Sequence, residues 1–232
     1  MTAAGIAVIV PMKPLSSAKS RLSPALTADE RSILSLNMLR RVLLAAGPAA
    51  ERIWVVGGDE LVREVATSLG AAWTADQGAE LNAALEVAFA RAAREELCAM
   101  YLPADLPLVD TDDVRGMIDA SKGGRTLTLA PASRDGGTNG IIVPLGSRFR
   151  PALGHGSFER HRSQARRDGV EPVVFTSEGL GLDLDVPADL EALERLRPGH
   201  LRELLTRPGE SQTVGAVADR KEPAQLCPRS HE

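Results

Sequence analysis

Short apolar runs alternate with amphipathic stretches from residue 5 to residue 197, and this alternation limits the folds open to the chain. Runs that suit strands lie at 5–10, 52–56, 99–102, 126–130, 140–144 and 171–175. The first three are continuous, as expected for strands buried on both faces. Helical patterns between the runs predict βαβ units. The sequence therefore predicts an α/β fold with a mostly parallel, twisted sheet and helices on both faces.

Local signals mark the ends of several helices. Helical patterns are predicted at 28–46, 60–69, 80–97, 111–121, 157–167 and 187–196. Thr27 and Glu30 have the spacing of a capping box before the first helix. Asp59 suits the N-cap of the second, and Pro187 suits the first turn of the last.

Composition narrows the function classes. The chain has 232 residues, of which 44% are hydrophobic and 25% charged, as in ordinary globular proteins. A net charge of −4 argues against a general nucleic-acid binder. Cys98 and Cys227 lie outside any CxxC pair, so zinc is not expected. A disulfide between them stays open, with a reduced chain as the default.

The ends of the chain carry two further expectations. The first residues lack the charged and long apolar regions of a signal peptide, and the apolar run 6–10 is too short to cross a bilayer. We therefore expect a cytoplasmic protein without membrane contact. The helix and strand patterns fade after residue 199, and the polar stretch that follows predicts one domain over 1–206 and a disordered tail over 207–232.

The loop after the first strand concentrates positive charge and hydroxyl groups. Pro11–Leu22 contains Lys13, Lys19, Arg21 and three serines. Phosphates bind where backbone N–H donors and fixed positive charge converge at a strand end. The loop lacks the GxxxxGK[ST] pattern of a P-loop. It is interpreted as a polyphosphate site, and the alternative is a solvated basic loop.

Two acidic segments follow later strands. Asp105 lies between two prolines at the end of an apolar run, where it could bind a divalent cation or cap a turn. Asp183 and Asp185 are two residues apart and would face the same side of an extended segment. They are the candidates to complete a metal site with Asp105, although one of them could instead cap the next helix. Asp189, in the first turn of that helix, is interpreted as structural.

Two glycine-containing segments offer a second anion site. DGGTN presents Thr138 and Asn139 after a glycine pair that allows close backbone approach, and the alternative is a plain hairpin turn. GHGSFERH begins at Gly154 and presents Ser157 as a candidate N-cap whose helix end binds an anion. His161 lies one turn further on, where a single histidine is more often structural.

A further pair of polar residues precedes the Ala-rich helix. Glu80 could accept hydrogen bonds from N1–H and the exocyclic amine of guanine, which adenine does not offer, and Asn82 lies beside it. The alternative is an ordinary N-cap region.

The order of the motifs is more specific than any one of them. PMKPLSSAKSRL, GAELNAAL, LPADLPL, GGTN, GHGSFERH and LDLDVPADL follow one another as in the CofC/FbiD family, which the chain resembles over about residues 5–197. This family comprises the guanylyltransferases of deazaflavin (coenzyme F-420) biosynthesis. The resemblance implies a single-domain nucleotidyltransferase fold similar to the GT-A glycosyltransferases. It also implies transfer of GMP from GTP to 2-phospho-L-lactate, phosphoenolpyruvate or 3-phospho-D-glycerate, with Mg²⁺ as the metal and pyrophosphate as the second product.

The resemblance also implies roles for individual residues. The triphosphate would contact Lys13, Lys19 and Arg21 in the loop that begins at Pro11, and guanine would lie near Glu80 and Asn82. The metal would bind Asp105, Asp183 and Asp185. The acceptor would bind Thr138, Gly154 and Ser157, with Asn139 and His161 as neighbours. Lys19, Arg21 and Asp105 are the expected catalytic residues.

Four points stay open from the sequence. Relatives acting on molybdopterin or sugar phosphates usually begin with an LAGG-type loop, whereas this chain has PMKP there, so the guanylyltransferase reading is favoured. A non-catalytic nucleotide-binding module is the second alternative, and retention of the candidate metal ligands argues against it. GGTN replaces the GTGT-like form of many actinobacterial members, so the identity of the acceptor stays open. The oligomeric state is also open, and a homodimer is one of the alternatives.

Overall fold

A single sheet of seven strands organises the part of the chain that the structure describes. The computed structural model describes residues 5–75 and 80–207. The strands are β1 (Ile6–Met12), β2 (Arg52–Gly57), β3 (Ala72–Thr74), β4 (Cys98–Tyr101), β5 (Thr128–Pro131), β6 (Thr138–Val143) and β7 (Val173–Val174). The helices are α1 (Ala28–Ala46), α2 (Glu60–Ser68), α3 (Leu81–Arg94), α4 (Thr111–Ala120), α5 (Ser157–Arg167), α6 (Glu178–Gly181), α7 (Pro187–Leu196) and α8 (His200–Leu204), with a 3₁₀ turn at Ser20–Leu22.

The sheet is mostly parallel, as predicted. Its order is β3-β2-β1-β4-β6-β5-β7, and β6 alone among these strands runs against its neighbours. Because β1, β2 and β4 are parallel, their carboxyl ends lie at one edge of the sheet. The Leu15 amide donates to Asp59 Oδ2 over 2.8 Å, which joins the loop after β1 to the turn after β2. The two loops therefore meet at the same edge of the sheet.

Both faces of the sheet are covered by helices. Side chains along β1 alternate between two core clusters, with Val8 and Val10 in one and Ala7 and Ile9 in the other. The first cluster includes residues of α1, α2 and α4, and the second includes residues of α3 and α5. Continuous apolar runs are required in such strands because both faces are buried.

A third core cluster joins the basic loop to the second acidic segment. Leu22, at the end of the 3₁₀ turn, and Leu184 are both fully buried in it. Leu184 separates Asp183 from Asp185, and Leu22 follows Arg21. Burial of these two leucines therefore brings the charged residues beside them to the same region.

The helix ends follow the sequence signals with one correction. Thr27 and Glu30 form the predicted capping box, and the Asp59 side chain caps α2. Ser157 is the first residue of α5, and its N-cap is Gly156, whose φ of 64° suits glycine. The prediction of Ser157 as N-cap is therefore wrong, because the left-handed turn at Gly156 moves the serine into the helix.

The predicted tail and the second cysteine lie in a part of the chain that the structure does not describe. Residues 208–232 and Cys227 lie outside the described residues, so the disordered tail and the domain boundary stay predictions. Cys98 is buried and forms no disulfide within the described residues. Among the helices in residues 5–75 and 80–207, none combines the length and apolar character needed to cross a bilayer.

Candidate active site

Three aspartates from two separate segments meet at the carboxyl edge of the sheet. Asp105, Asp183 and Asp185, here called the acidic cluster, each offer a carboxylate oxygen, and these oxygens lie within 4.8 Å of one another. Asp105 follows β4, whereas the other two precede α7. The Leu184 amide donates to the Asp105 carbonyl over 3.3 Å, which joins the two segments directly.

Lys19 reaches from the basic loop into the acidic cluster. Its Nζ lies 2.5 Å from Asp105 Oδ2 and 2.9 Å from Asp185 Oδ1, and its side chain is only 10% exposed. Its backbone adopts φ 52° and ψ 33°, a left-handed conformation that costs energy for a residue with a side chain. Burial lowers the pKa of Lys19, but the two carboxylates outweigh burial and raise it, so the ammonium form persists.

The surroundings move the pKa values of two of the aspartates in opposite directions. Burial, reinforced by the charge of Asp105, raises the pKa of Asp183 to about 6, although a hydrogen bond from Asn139 opposes the rise. Burial also disfavours ionisation of Asp185, but Lys19 and then Arg21 outweigh it and lower its pKa. The charge of Asp183 is therefore less compensated by nearby cations than that of Asp185.

The acidic cluster has the donors that a hard divalent cation requires. Asp105 Oδ1 is buried and has no hydrogen-bond partner among the described residues. An unpartnered buried carboxylate oxygen is costly unless a cation binds it. Three carboxylates also outnumber the one ammonium that contacts them in the described structure. Oxygen ligands of this kind suit ions such as Mg²⁺ and Mn²⁺.

The remaining cations of the basic loop lie at the surface of the same edge. Lys13 and Arg21 are exposed, and neither side chain forms a hydrogen bond within the described residues. Arg21 is nevertheless near enough to Asp185 to lower its pKa. Pro11 lies inside β1, so the strand delivers the loop to the edge. These positions leave two exposed cations in the loop after β1 for an anionic ligand, and Arg21 is the one near the acidic cluster.

The predicted guanine residues lie at the start of α3. Glu80 is the N-cap residue, makes no capping hydrogen bond through its side chain, and is exposed. The Asn82 side-chain oxygen accepts from the Leu153 amide over 2.7 Å, and its Nδ2 lies 3.4 Å from the Leu153 carbonyl. Asn82 therefore fixes the backbone just before Gly154, whereas the Glu80 carboxylate makes no hydrogen bond with the described residues. Residues 78 and 79 of the GAELNAAL motif lie outside the described residues.

Three candidate acceptor residues form one buried hydrogen-bonded group. His161 Nε2 accepts from the Ala152 amide over 2.8 Å, so the ring proton is on Nδ1, which donates to Thr138 Oγ1 over 2.9 Å. Ser157 Oγ donates to the same oxygen over 3.1 Å. Burial, with a smaller effect from Arg160, lowers the pKa of His161 to about 4, so the ring is neutral near pH 7. The Thr138 hydroxyl accepts twice and keeps its own proton for another partner.

The loop before α5 is held by an arginine. Gly154 has φ 124°, which disfavours any other residue there. Arg160 donates to the His155 carbonyl over 2.5 Å and to the Ala152 carbonyl over 3.0 Å. These bonds place Gly154 close to Ser157, whose amide donates to the Gly154 carbonyl over 3.0 Å.

Sequence reasoning missed two contacts that support the acidic cluster. Arg134 Nε lies 2.7 Å from Asp189 Oδ1, and Asp189 Oδ2 accepts from the Asp185 and Val186 amides over 2.7 and 2.8 Å. Asp189 is 1% exposed, which agrees with its interpretation as a structural residue. Its additional role is to fix the backbone of Asp185, a member of the acidic cluster. Arg134 and Asp189 are 55 positions apart in the sequence, and no sequence motif predicts a contact over that separation.

Comparison with solved structures defines the class of fold. A nucleotidyl transferase from Methanothermobacter thermautotrophicus superposes with a TM-score of 0.58 at 16% identity, over 86% of this chain and 99% of that one. A protein from Desulfovibrio desulfuricans G20, provisionally named a nucleotide-diphospho-sugar transferase, gives a TM-score of 0.69 at 18% identity, over 86% and 96% of the two chains. The chain therefore has the nucleotidyltransferase fold, as predicted.

Sequence comparison then gives the family. Residues 6–197 match the family model described as guanylyl transferase CofC like, and the chain belongs to that family. A phosphoenolpyruvate guanylyltransferase from Rubrobacter xylanophilus is 39% identical over 188 residues, covering 80% of this chain and 92% of the relative. A 2-phospho-L-lactate guanylyltransferase from Methanothermobacter thermautotrophicus is 36% identical, covering 86% and 89%. A 3-phospho-D-glycerate guanylyltransferase from Phenylobacterium zucineum is 37% identical, covering 77% and 84%.

Proposed function

We propose that this protein transfers GMP from GTP to the phosphate of a three-carbon phosphorylated acid and releases pyrophosphate. Membership of the guanylyl transferase CofC like family supports the reaction class. The observation that carries the proposal for the site is the acidic cluster, with Lys19 beside it, at the carboxyl edge of the sheet. In the CofC/FbiD family, which the chain resembles, this reaction belongs to the biosynthesis of the deazaflavin coenzyme.

The reaction joins two anions, and this determines what the protein must supply. An acceptor phosphate oxygen attacks the α-phosphorus of GTP, while the bond from that phosphorus to the β-bridging oxygen breaks and pyrophosphate leaves. The acceptor phosphate is already ionised near neutral pH, so the step needs no general base. Positioning and neutralisation of negative charge are therefore the main contributions to the rate.

The basic loop suits the triphosphate. Lys13 and Arg21 are exposed cations without side-chain hydrogen bonds in the described structure, so both can bind phosphate oxygens. Lys19 keeps its charge between the carboxylates and lies at the boundary between the loop and the acidic cluster. We assign Lys19 and Arg21 to stabilising the charge that develops on the leaving pyrophosphate.

The acidic cluster suits Mg²⁺. Asp105, Asp183 and Asp185 would hold the ion, and the unpartnered Asp105 Oδ1 supports this fit. When bound, Mg²⁺ supplies positive charge to phosphate oxygens and fixes their orientation. The chain's own contribution is to keep the three carboxylates together through the backbone bond from Leu184 to Asp105.

The acceptor is assigned to the region around Thr138, Gly154 and Ser157. The free proton of the Thr138 hydroxyl can donate to an anion, because its oxygen already accepts from Ser157 and His161. The His161 ring fixes that arrangement from the buried side. For the nucleotide, the exposed carboxylate of Glu80 at the start of α3, which makes no capping hydrogen bond, can accept both donors on the guanine edge.

Pyrophosphate release tests the proposal. Purified protein with GTP and Mg²⁺ is given phosphoenolpyruvate, 2-phospho-L-lactate or 3-phospho-D-glycerate in turn, with a molybdopterin and a sugar phosphate as comparison acceptors. We expect release that depends on one of the three acids and on the metal. Release with a comparison acceptor alone would favour a different nucleotidyltransferase, and no release with any acceptor would favour a non-catalytic nucleotide-binding module.

A further inference from the structure

We propose that Asn139 is a positioning residue that orients Asp183 for the divalent cation. Asn139 Nδ2 donates to the Leu180 carbonyl over 3.0 Å and to Asp183 Oδ1 over 3.2 Å. Asn139 is 6% exposed, so water does not readily replace these bonds. The inference rests on the proposed function, which assigns Asp183 to the cation.

The direction of the Asn139 side chain is given by its contacts. The register of β5 and β6 shifts at this point, since Pro131 pairs with Thr138 and Ala130 with Gly140, so Asn139 is an extra residue in the β6 ladder. Thr138 contacts Ser157 and His161 on one face. Asn139 contacts Asp183 on the other face, away from that group. The strand thus separates a residue assigned to the acceptor from a residue that supports the metal ligands.

The need for this support comes from the segment that carries Asp183. The aspartate follows α6, and its carboxylate is half-buried beside Asp105. Two carboxylates in proximity repel one another, and a fixed N–H donor on one oxygen opposes that repulsion. The bond to Oδ1 leaves the second oxygen of Asp183 free for a cation. Such partners of metal ligands commonly change metal affinity by about 10–100-fold when they are removed.

The same hairpin supports the other arm of the acidic cluster. Arg134, between β5 and β6, binds Asp189, which in turn accepts from the Asp185 amide. The β5–β6 hairpin therefore reaches Asp183 through Asn139 and Asp185 through Arg134. These two attachments indicate that the hairpin orients Asp183 and Asp185 together. Asn139 therefore does more than donate a hydrogen bond to the Leu180 carbonyl.

Metal affinity is the measurement that separates positioning from a general structural role. Mn²⁺ binding is measured by calorimetry without nucleotide or acceptor, for the wild type and Asn139→Ala. We expect the dissociation constant to rise at least about tenfold in the variant. Asn139→Leu, which restores most of the lost volume without donors, is used in the same way if Asn139→Ala does not fold.

Asn37→Ala is the matched control. Asn37 also donates through Nδ2 to two carbonyl groups, those of Leu204 and Thr206, over 2.8 and 2.9 Å. It forms no hydrogen bond with the acidic cluster in the described structure. We expect this variant to lower the melting temperature while the Mn²⁺ dissociation constant stays within about twofold of the wild type.

Kinetics give a second readout. For Asn139→Ala we expect the Mg²⁺ concentration at half-maximal rate to rise, saturating Mg²⁺ to restore much of the rate, and KM for the acceptor to stay unchanged. A variant that binds Mn²⁺ like the wild type, or whose defect lies in acceptor KM, overturns the inference and favours an acceptor role for Asn139. A wild-type protein that releases pyrophosphate but binds no Mn²⁺ overturns the metal assignment together with this inference, whereas the acceptor panel tests the transfer reaction separately.

Discussion

The Lys19 ammonium lies 2.5 Å from Asp105 Oδ2, and the same nitrogen lies 2.9 Å from Asp185 Oδ1. One buried cation thus contacts two of the three carboxylates assigned to the metal. Lys19 and a divalent cation therefore compete for some of the same oxygen atoms. Binding of a metal there would free the ammonium for an anionic ligand such as the phosphates of GTP.

This competition predicts opposite effects of Lys19→Met on metal affinity and on rate. Removal of the ammonium eliminates a competing positive charge, so we expect Mn²⁺ to bind on the order of tenfold more tightly in calorimetry. The rate of pyrophosphate release should fall by about 10²-fold or more, because charge on the leaving group loses a partner. Weaker Mn²⁺ binding in Lys19→Met would show that the lysine organises the carboxylates rather than competing with the metal.

Asp105→Asn is expected to lower the rate by orders of magnitude and leave the fold intact. The amide keeps the shape of the side chain but removes a charge from the acidic cluster, so metal binding and the alignment it provides are lost. Initial rates of pyrophosphate release and circular dichroism check the two parts. Asp119→Asn, at an exposed position in α4, is the control and should match the wild type in both. Near wild-type turnover in Asp105→Asn would contradict the assignment of Asp105 to the metal.

The six longer helices of the described residues and most of the parallel part of the sheet could be predicted because their signals are local, whereas the short helices α6 and α8 were not predicted. The capping box at Thr27 and Glu30 fixes the start of α1, which spans the predicted 28–46. β3 was missed because Ala72–Thr74 is a short edge strand with no continuous apolar run. The direction of β6 was also beyond the sequence, since strand patterns carry no information on the direction of pairing.

The candidate site was predictable where motifs follow strand ends, and less so where distant segments meet. The carboxyl-edge rule brings the basic loop near Asp105, and the two-residue spacing places Asp183 and Asp185 on one side. The contact from Arg134 to Asp189 depends on how the β5–β6 hairpin packs on α7. That packing is set by tertiary contacts, for which the sequence has no periodic signal.

The buried ring of His161 predicts a pH dependence of stability. Its pKa is lowered to about 4 by burial and by Arg160, whereas an unfolded histidine titrates near 6.5. Between these pH values the unfolded chain binds more protons at this position, so its contribution to the free energy of unfolding is present above pH 6.5 and is lost as the pH falls towards 4. The full contribution is about 3 kcal/mol, at about 1.4 kcal/mol for each pH unit of difference.

The ring resonances of His161 in NMR spectra check this directly. They are assigned by their absence in His161→Asn, and we expect them to keep the neutral form down to about pH 4. Titration of the ring near pH 6.5 would contradict the buried neutral state. Curves of unfolding free energy against pH are a less direct check. The raised pKa of Asp183 makes the folded state bind more protons between about pH 4 and 6, so its contribution to the free energy of unfolding falls as the pH rises, opposite to that of His161.

Glu80→Gln is expected to weaken the preference for GTP over ATP. The carboxylate of Glu80 makes no capping bond and can accept two donors from guanine, whereas the glutamine amide would place an N–H group against one of them. Because an unpaired donor in a binding site is costly, we expect KM for GTP to rise about tenfold with kcat little changed, and the ratio of kcat/KM for GTP and ATP to fall accordingly. Glu86→Gln, further along α3, serves as the control and should keep the wild-type ratio, since its carboxylate faces Arg150 at 3.8 Å. An unchanged ratio in Glu80→Gln would place the recognition of guanine elsewhere on the carboxyl edge.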